Sequence, residues 1–316
     1  MSPEVRPLGG LRVGLSVAGN PEDLALRGFT EGGLRRLTVR LTRALLAEGA
    51  GLAFGHDWRE GGIMEAIANI ALDYQGPGRP TDLGPPILNF IPWPDTASAT
   101  GSALLSRLKG VVEVNPGGLP DELRAREQPA LDLGRSSEEW RYLRARGLTH
   151  LRRRLIACCS ARVALGGKLT GFDGRLPGIV EEVFLTLEAS QPVFLAGILG
   201  GAAEVLGKVL LGIESARALR DSLRATAQSP LVSIYSQRAV PSSSGLADSD
   251  ANVEAIVGFL AAENSQTIVQ SNGLSREENL ALLQTDLEEE LVTLVLTGLK
   301  RKWNPQTRSL SSVSVS

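Results

Sequence analysis

The chain has 316 residues, of which 43% are hydrophobic and 22% are charged, and its formal net charge at pH 7 is -2. This near balance argues against a general polyanion binder, so we expect no nucleic-acid partner. The two cysteines, Cys158 and Cys159, are adjacent and the chain has only two histidines, which argues against a disulfide framework and against a metal site rich in either residue.

The same features predict where the protein works. The longest uninterrupted apolar run, 193–203, is about half as long as a membrane span and meets Glu204 and Lys208. The N-terminus lacks the pattern of a signal peptide. Adjacent cysteines without a second pair suit a reducing compartment. We therefore expect a soluble, cytoplasmic protein with no membrane partner.

Short apolar runs alternate with amphipathic segments in the first third of the chain. We expect strands at 11–17, 51–54, 86–91 and 111–114, and helices at 34–48, 63–72 and 103–109. In the segment 34–48, leucines repeat at helical spacing and arginines lie off that stripe, as on a solvated outer face. The alternation is typical of an α/β protein with a parallel sheet.

The turn after the first expected strand is rich in glycine and serine. Doubly wound folds hold phosphate groups at this position. Ser16, Gly19 and Asn20 are therefore candidate phosphate contacts. The turn lacks the spacing G-x-G-x-x-G, so a simple loop remains the alternative.

Polar and aromatic residues follow the second and third expected strands. Asp57 stands where an acidic side chain can hydrogen-bond ribose hydroxyls, and the neighbouring His56 is a candidate phosphate contact. The alternative for Asp57 is a cap of a turn. Trp93 stands between prolines, where it can stack on a base, and packing against a neighbouring loop is the alternative.

The segment 115–138 is polar and contains a glycine pair and three prolines, which predicts a mobile lid or an insertion. A helix is expected to begin at 136 or 137, with acidic residues in its first turn. Its arginines form either a solvated face or a basic rim that draws an anionic ligand inward. They are Arg141, Arg144, Arg146, Arg152, Arg153 and Arg154.

The segment 162–204 contains a short buried strand, a glycine-rich turn and a helix start twice, with strands expected at 163–165 and 193–196 and helices at 178–189 and 201–211. Such an arrangement is an anion site, because backbone N–H groups and the helix dipole favour negative charge and glycine lets a phosphate approach. Walker A chemistry is excluded, since Arg162 replaces the first glycine and Leu169 follows the lysine. The candidate contacts are Arg162, Gly166, Gly167, Lys168, Gly178, Gly200 and Gly201.

Two carboxylates, Glu181 and Glu182, follow in the first turns of the expected helix 178–189. They lie about 100° apart on a helix, so only one of them should face the site comfortably. Glu182 is a candidate ligand contact. The alternative is that both carboxylates are simply favoured by the positive end of the helix dipole.

The last part of the chain is less regular. We expect a surface loop at 237–250, a helix at 252–262, a last strand at 267–269 and a final helix at 288–299. The sequence N-G-L-S-R-E-E-N from Asn272 is typical of a turn followed by an N-capped helix. The tail 303–316 is rich in serine and is expected to be disordered.

The central motif resembles the SLOG superfamily of Rossmann-like nucleotide-binding domains. The resemblance implies a doubly wound, mainly parallel sheet with helices on both faces, and a single domain spanning 1–302. Members include the Lonely Guy phosphoribohydrolases, the DNA-processing protein DprA, the N-terminal region of TRPM channels and sensor domains of antiphage systems. The motif comprises Arg162, Gly166-Gly167-Lys168, Gly171, Gly174, Pro177-Gly178-Ile179, Glu181-Glu182 and Gly197-x-x-Gly200-Gly201-Ala202.

The chain is most similar to the sensor domain of the Thoeris NAD-consuming effector. That resemblance implies a receptor for an NAD-derived second messenger, such as a cyclic ADP-ribose isomer, in bacterial antiphage signalling. It also implies a homo-oligomer, and a separate effector protein because we recognise no effector domain here. No cofactor is expected beyond the nucleotide ligand.

The alternative is a nucleotide N-glycosidase related to the Lonely Guy proteins. Arg162 with Glu181 or Glu182 would then perform the acid–base and charge-stabilising steps. This sequence departs from the motif P-G-G-x-G-T-x-E of that family, because it has Pro177-Gly178 directly before Ile179 and lacks the Gly-Thr pair. A single-stranded DNA binder like DprA is disfavoured by the low aromatic content, 4%, and by the near-neutral charge.

Overall fold

Six short strands pair in parallel to form one sheet, and helices connect them. The computed structural model describes residues 6–55, 63–74, 84–95, 108–217, 219–221, 223 and 253–303. The strands are β1 (Arg12–Ala18), β2 (Gly51–Phe54), β3 (Ile87–Ile91), β4 (Val112–Pro116), β5 (Ala161–Gly166) and β6 (Val193–Ala196).

The order of the strands places a topological switch point in the middle of the sheet. The order is β4-β3-β2-β1-β5-β6, so the chain builds outward from β1 on one side and then returns to add β5 on the other. Ser16 pairs with Ala164 and Ala18 with Gly166, which brings the carboxyl ends of β1 and β5 together. Doubly wound folds bind ligands at such a point. The prediction of a Rossmann-like fold is confirmed.

The helices pack around this sheet, and a short 3-10 helix, Asp121–Arg126, precedes α4. Among the described residues no helix is both long enough and apolar enough to cross a membrane. The helices are α1 (Pro21–Leu26), α2 (Glu31–Ala47), α3 (Ile63–Asp73), α4 (Glu127–Leu133), α5 (Glu138–Ala157), α6 (Gly178–Glu188), α7 (Gly201–Leu210), α8 (Val253–Ala261), α9 (Glu263–Gln270), α10 (Arg276–Gln284) and α11 (Glu288–Trp303).

The alternation of side chains along the strands separates two cores. Leu52 and Phe54 of β2 pack with helices α2, α3 and α11, whereas Ala53 between them packs with Leu151 and Leu155 of α5. Helix α6 lies on the same face as α5, since the two helices contact each other and α6 contacts β1 and β5. The helices therefore cover both faces of the sheet, as strands buried on both sides require.

Local signals fix the ends of several helices. The side chains of Thr30 and Ser137 cap α2 and α5 by accepting hydrogen bonds from Gly33 N and Trp140 N, both at 3.1 Å. Ser275 forms a capping box with Glu278 at the start of α10. These caps stabilise helix starts by about 1 kcal/mol each. The predicted helix starts near 137 and after Asn272 agree with these positions.

Two expectations for the last part of the chain differ from the structure. The predicted strand 267–269 is wrong, because these residues lie in α9, where Val269 is buried in a core shared by helices and the strands β5 and β6. Helix α11 continues through Trp303, the first residue of the expected tail, because this side chain packs against the core beside α2. The expected helix 103–109, except its last two residues, the loop 237–250 and the tail from 304 lie outside the described residues.

The segment 115–138 contains two short helices, the 3-10 helix and α4, and forms an insertion between β4 and α5. Its apolar side chains and those of α5 together enclose Trp93, whose Nε1 donates to Glu127 Oε1 at 2.7 Å. Arg126 binds Glu139 through two hydrogen bonds, of 2.6 and 2.8 Å, which fasten the insertion to α5. Whether this insertion also acts as a lid stays a prediction.

The two cysteines at the end of α5 lie in different environments, and their reactivities should differ. Cys158 is exposed, whereas Cys159 is buried and its thiol donates to Leu155 O at 3.1 Å. Burial raises the pKa of the Cys159 thiol to about 11. At pH 8 a thiol reagent should therefore modify Cys158 rapidly and Cys159 roughly 100-fold more slowly, because the thiolate is the reactive form. Single Cys→Ala variants assign the two rates.

The same shift predicts how stability depends on pH. Below about pH 9 the Cys159 thiol is protonated in both states, and between about 9 and 11 only the unfolded chain releases the proton. The native state therefore loses about 2–3 kcal/mol of stability as pH rises through this window. Urea denaturation at pH 8 and 10.5 should show a larger loss in the wild type than in Cys159→Ala. Equal losses would contradict the assignment.

Candidate functional site

A cleft of about 250 Å³ lies over the carboxyl ends of β1, β2 and β5, at the switch point of the sheet. Apolar side chains reach the cleft from both faces of the sheet, and we call them together the apolar wall. Phe54 and Ile63 lie on the side of α3, and Phe172 and Ile179 lie on the side of α6. Polar side chains line the rest, namely Ser16, Thr38, Arg152, Lys168 and Glu182. The arrangement suits a ligand with one flat apolar part and one charged part.

Glu182 is the only acidic side chain among the described residues that line the cleft. Its Oε2 accepts hydrogen bonds from Ser16 Oγ and, at 3.0 Å, from Arg162 Nη1. Its Oε1 lies 3.5 Å from Arg152 Nε. Glu181 points away from the cleft and is 1% exposed. The two carboxylates thus separate, with one on the cleft wall and the other behind it.

Arg152 is a site residue that the sequence did not single out from its neighbours. Its guanidinium pairs with the buried Glu181, which also accepts from Thr149 Oγ1 at 2.5 Å. Burial lowers the pKa of Arg152, but the charges of Glu181 and Glu182 more than offset this and the pKa is raised overall. Arg152 thus places a permanent positive charge at the cleft.

The other arginines of α5 whose contacts can be described bind protein groups away from the cleft. Arg144 pairs with Asp95 at 2.9 Å, Arg146 with Glu122 at 3.1 Å, and Arg154 donates to Pro116 O at 3.0 Å. Arg152 is the only arginine among the described cleft-lining residues. The described arginines of this helix therefore do not form a basic rim around the cleft.

The start of α6 faces the cleft through Gly178. Its N-cap residue, Pro177, makes no side-chain cap hydrogen bond, so the first N–H groups of this helix have no side-chain acceptor there. A Cβ at Gly178 would lie 3.0 Å from Arg152 Nη2, and a Cβ at Gly174 would lie 3.2 Å from Arg152 Nη1. These two glycines make room for the guanidinium.

Lys168 also lines the cleft and is exposed. Together Lys168, Arg152 and the N-terminus of α6 make this corner attractive to anions. No group of three or more His, Cys, Asp or Glu side chains that could hold a metal ion occurs among the described residues.

Sequence comparison gives a family to this arrangement. A family model described as SLOG cluster2 matches residues 7–282, which include all six strands. The chain belongs to this SLOG family. Membership indicates nucleotide-related binding or processing, which agrees with a cleft at the switch point of a Rossmann-like sheet.

Other comparisons add little to the SLOG assignment. The X-ray structure of TM1055, a target of the Northeast Structural Genomics Consortium, is 16% identical in sequence, with a TM-score of 0.35. That match covers 61% of this chain and 78% of TM1055. No curated protein matches the sequence significantly.

Four glycines of the SLOG motif lie at the turns after β5 and β6. The backbone conformation at these positions favours glycine for reasons that do not involve a ligand. Gly166, Gly167, Gly200 and Gly201 all have positive φ angles, between 65° and 96°. A Cβ at Gly166 would lie 2.2 Å from Ala18 O, and a Cβ at Gly201 would lie 2.3 Å from Gly167 O. Gly166 and Gly201 allow the turns after β5 and β6 to pack against each other and against the end of β1, Gly167 makes room for Ile179, and none of the four glycines lines the cleft itself.

The remaining predicted contacts are distributed around the cleft. Ser16, Lys168, Gly178 and Glu182 line it together, and Arg162 lies behind Ser16 and Glu182 without lining it. His56 and Asp57 lie outside the described residues, between Gly55 and Ile63, which both line the cleft.

Three further candidates do not line the cleft. Gly19 packs against Leu24 and Leu34, since a Cβ there would lie 2.6 Å and 3.0 Å from these side chains. Asn20 precedes α1 and donates to Asp23 at 3.2 Å. Trp93 is buried in the hydrophobic cluster of the insertion, 6.0 Å from the ring of Trp140, which corresponds to the alternative of loop packing.

Proposed function

We propose that this SLOG protein is a receptor that binds an NAD-derived nucleotide, such as a cyclic ADP-ribose isomer or ADP-ribose, in the cleft. One observation carries the proposal. An anion-attracting corner, a carboxylate paired with a hydroxyl, and an apolar wall meet in one cavity at the switch point of the sheet. A nucleotide consists of three parts with the matching chemistry, namely phosphate, ribose and base.

The phosphate would bind at the corner formed by Lys168, Arg152 and Gly178. The lysine contributes a point charge, the arginine contributes N–H donors, and the uncapped helix start contributes backbone N–H groups. Three different sources of positive potential therefore converge on one place.

The ribose would bind against Glu182 and Ser16. A carboxylate accepts hydrogen bonds from sugar hydroxyls, as acidic residues do at the ends of strands in dinucleotide-binding folds. Glu182 Oε2 is already engaged by Ser16 and Arg162, so Oε1 is the oxygen with capacity for a ribose hydroxyl. The base would then lie against Phe54 and Phe172 on the apolar wall.

The size of the cleft supports a nucleotide in which one half is held deeply. Ligand pockets are about 300–1,000 Å³, and this cleft, at about 250 Å³, lies just below that range. It accommodates a nucleoside phosphate, and the second half of an ADP-ribose-like ligand would extend past its mouth. The NAD-derived identity of the ligand rests on the resemblance to Thoeris sensors, which also supports a cytoplasmic homo-oligomer that passes the signal to a separate effector.

A nucleotide N-glycosidase is the second candidate, and the position of Glu182 favours it. A carboxylate beside a ribose can stabilise the positive charge that develops when a glycosidic bond breaks. In this variant of the proposal Glu182 and Arg152 would act at the cleft, while Glu181 and Arg162, which the sequence also suggested, lie behind it.

One incubation separates the two candidates. The protein is mixed with NAD, ADP-ribose, cyclic ADP-ribose isomers, AMP and CMP and then ultrafiltered, and mass spectrometry identifies the retained and released species. Retention of one intact nucleotide at near-stoichiometric amounts supports the receptor. Release of free base and ribose phosphate supports the N-glycosidase, and a Glu182→Gln variant should then lose turnover. Neither retention nor turnover of any compound would refute both.

Lys168→Met should weaken binding of ADP-ribose about tenfold without changing stability, since the side chain is exposed and forms no described pair. Adenosine, which lacks phosphate, should bind the variant and the wild type equally. Isothermal titration calorimetry at two salt concentrations measures both. The matched control is Lys109→Met. Lys109 is exposed and lies just before β4, so it is at the amino ends of the parallel strands, whereas the cleft is at their carboxyl ends. An equal loss in both variants would contradict the phosphate assignment.

A further inference from the structure

Arg162 is a buried charged residue that does not line the cleft. It lies in β5, its side chain is 1% exposed, and it is the largest fully buried side chain in the described part of the chain. Burying a guanidinium is costly unless its donors are paired, so its retention inside the sheet calls for a function.

The guanidinium joins three elements beneath the cleft. Its Nε donates to Thr186 Oγ1 at 2.8 Å, and its Nη1 donates to Ser16 Oγ at 2.7 Å and to Glu182 Oε2 at 3.0 Å. Thr186 in turn donates to the backbone oxygen of Glu182 at 2.6 Å. β1, β5 and α6 are thus tied at one point, and two of the tied side chains, Ser16 and Glu182, line the cleft.

The neighbouring strand is shaped to accept this side chain. Gly14 of β1 pairs with Arg162 across the sheet. A Cβ at Gly14 would lie 3.0 Å from Arg162 Nη2 and 3.1 Å from Arg162 Cζ. A glycine inside a strand weakens it, so the absence of a side chain here serves the approach of the guanidinium.

Arginine is the residue that this geometry needs. The two donors used, Nε and Nη1, point to acceptors on different elements, and a planar guanidinium holds both directions at once. A lysine ammonium is a single centre on a flexible stem and cannot keep Thr186 on one side and Glu182 on the other. Arg162 therefore orients Glu182 Oε2 from the side of the carboxylate that faces away from the cleft.

We propose that Arg162 is a positioning residue that fixes Glu182 and Ser16 for the ligand and does not touch the ligand itself. This inference rests on the proposed function only in the second test below, which measures ligand binding. By occupying Oε2, Arg162 leaves Oε1 of Glu182 directed to the cleft. Arg162→Met and Arg162→Lys should then have the same effect, because both remove the guanidinium that donates in two directions, from Nε and from Nη1.

The first test needs no ligand. Water-soluble carbodiimide with glycine methyl ester labels accessible carboxylates, and peptide fragmentation by mass spectrometry resolves Glu182 from Glu181. In Arg162→Met and Arg162→Lys, Glu182 should be labelled about tenfold faster than in the wild type, because Oε2 is released, while Glu181, which is buried behind the cleft, keeps its reactivity. Thr186→Val removes the Nε acceptor and the hydrogen bond to the backbone oxygen of Glu182, but it leaves Nη1 bound to Oε2, so it should give a smaller increase of about threefold.

Each result of the labelling test decides the question. Unchanged labelling of Glu182 in all three variants overturns the proposal. A joint rise for Glu182 and Glu181 also overturns it, because that pattern shows general loosening of the core instead of release of one carboxylate. The matched control is Arg144→Met, which removes a mostly buried arginine that pairs with Asp95 and should leave Glu182 labelling unchanged.

The second test measures binding of ADP-ribose and AMP by calorimetry in a double-mutant cycle. Arg162→Met should weaken binding about tenfold in the wild-type background and less than twofold in Glu182→Gln, because its effect passes through Glu182. A tenfold loss in both backgrounds overturns the positioning role. If the wild type binds no nucleotide, the proposed function fails, while the labelling test still decides whether Arg162 fixes Glu182.

Discussion

Gly166→Ala is expected to lower the free energy of unfolding by about 3 kcal/mol and to disturb the cleft. The new Cβ would lie 2.2 Å from Ala18 O, which accepts a hydrogen bond from Gly167 N at 2.8 Å. The backbone at the end of β1 or β5 must move, and the φ of 66° adds the strain of a left-handed conformation. Because Ala18 lines the cleft, ligand binding should weaken as well. Urea denaturation and calorimetry measure the two effects.

Gly171→Ala is the matched control for this substitution. Gly171 has nearly the same φ, 65°, but nothing lies within 4 Å of its added Cβ. It should cost only about 1 kcal/mol, which is the strain of the backbone alone. The difference between the two variants therefore isolates the close approach of β1 and β5. Equal losses would show that this approach does not determine the need for glycine at 166.

Glu181→Gln is expected to destabilise the protein by about 3 kcal/mol, because it leaves the buried guanidinium of Arg152 with a weaker partner. Glu181 is 1% exposed and accepts from both Thr149 and Arg152. Removing one partner of a buried pair costs about 3–5 kcal/mol, and the remaining contact of Arg152 with Glu182, at 3.5 Å, places the loss at the lower end. Urea denaturation at pH 7 measures it.

Two further variants make this prediction specific. Glu289→Gln removes an exposed carboxylate that binds Arg40 at 3.0 Å and should cost less than about 0.5 kcal/mol. The double variant Arg152→Met with Glu181→Leu replaces the whole pair by apolar side chains and should recover much of the stability. Without such recovery the loss would not come from an unpaired charge. Ligand binding should still be lost in the double variant, because Arg152 lines the cleft.

Much of the fold follows from local patterns in the sequence. The strands β2 and β6 were predicted with the bounds that they have, because short apolar runs between glycines or turn residues leave little choice. The single wrong strand, 267–269, shows the limit of this reasoning. Thr267 and Val269 are β-branched and favour strands locally, but the packing of α9 against β6 and α7 decides their conformation.

The site was less predictable because tertiary contacts select among similar residues. Six arginines follow one another in the segment 141–154, and no spacing distinguishes Arg152, which reaches Glu181 and Glu182 on another helix. Helix geometry predicted that only one of Glu181 and Glu182 would face the site. Which of the two does so depends on how α6 is oriented against the sheet, and the sequence does not give that orientation. The presence of Gly174 and Gly178 was a usable signal, since both leave space for Arg152.

The contact between Gly14 and Arg162 has a consequence for the evolution of this family. A Cβ at 14 would lie 3.0 Å from Arg162 Nη2 and 3.1 Å from Cys159 Sγ, so a side chain there requires these neighbours to shift by a few tenths of an ångström and position 14 is coupled to Arg162. Lineages that replace Arg162 by a smaller aliphatic residue lose the larger part of the constraint at 14, with Cys159 remaining as a neighbour, and also lose the acceptor role of Thr186. Relatives should therefore divide into two groups that differ at these three positions together. The residue at 14 would then show, from sequence alone, which group carries the buried support of the cleft.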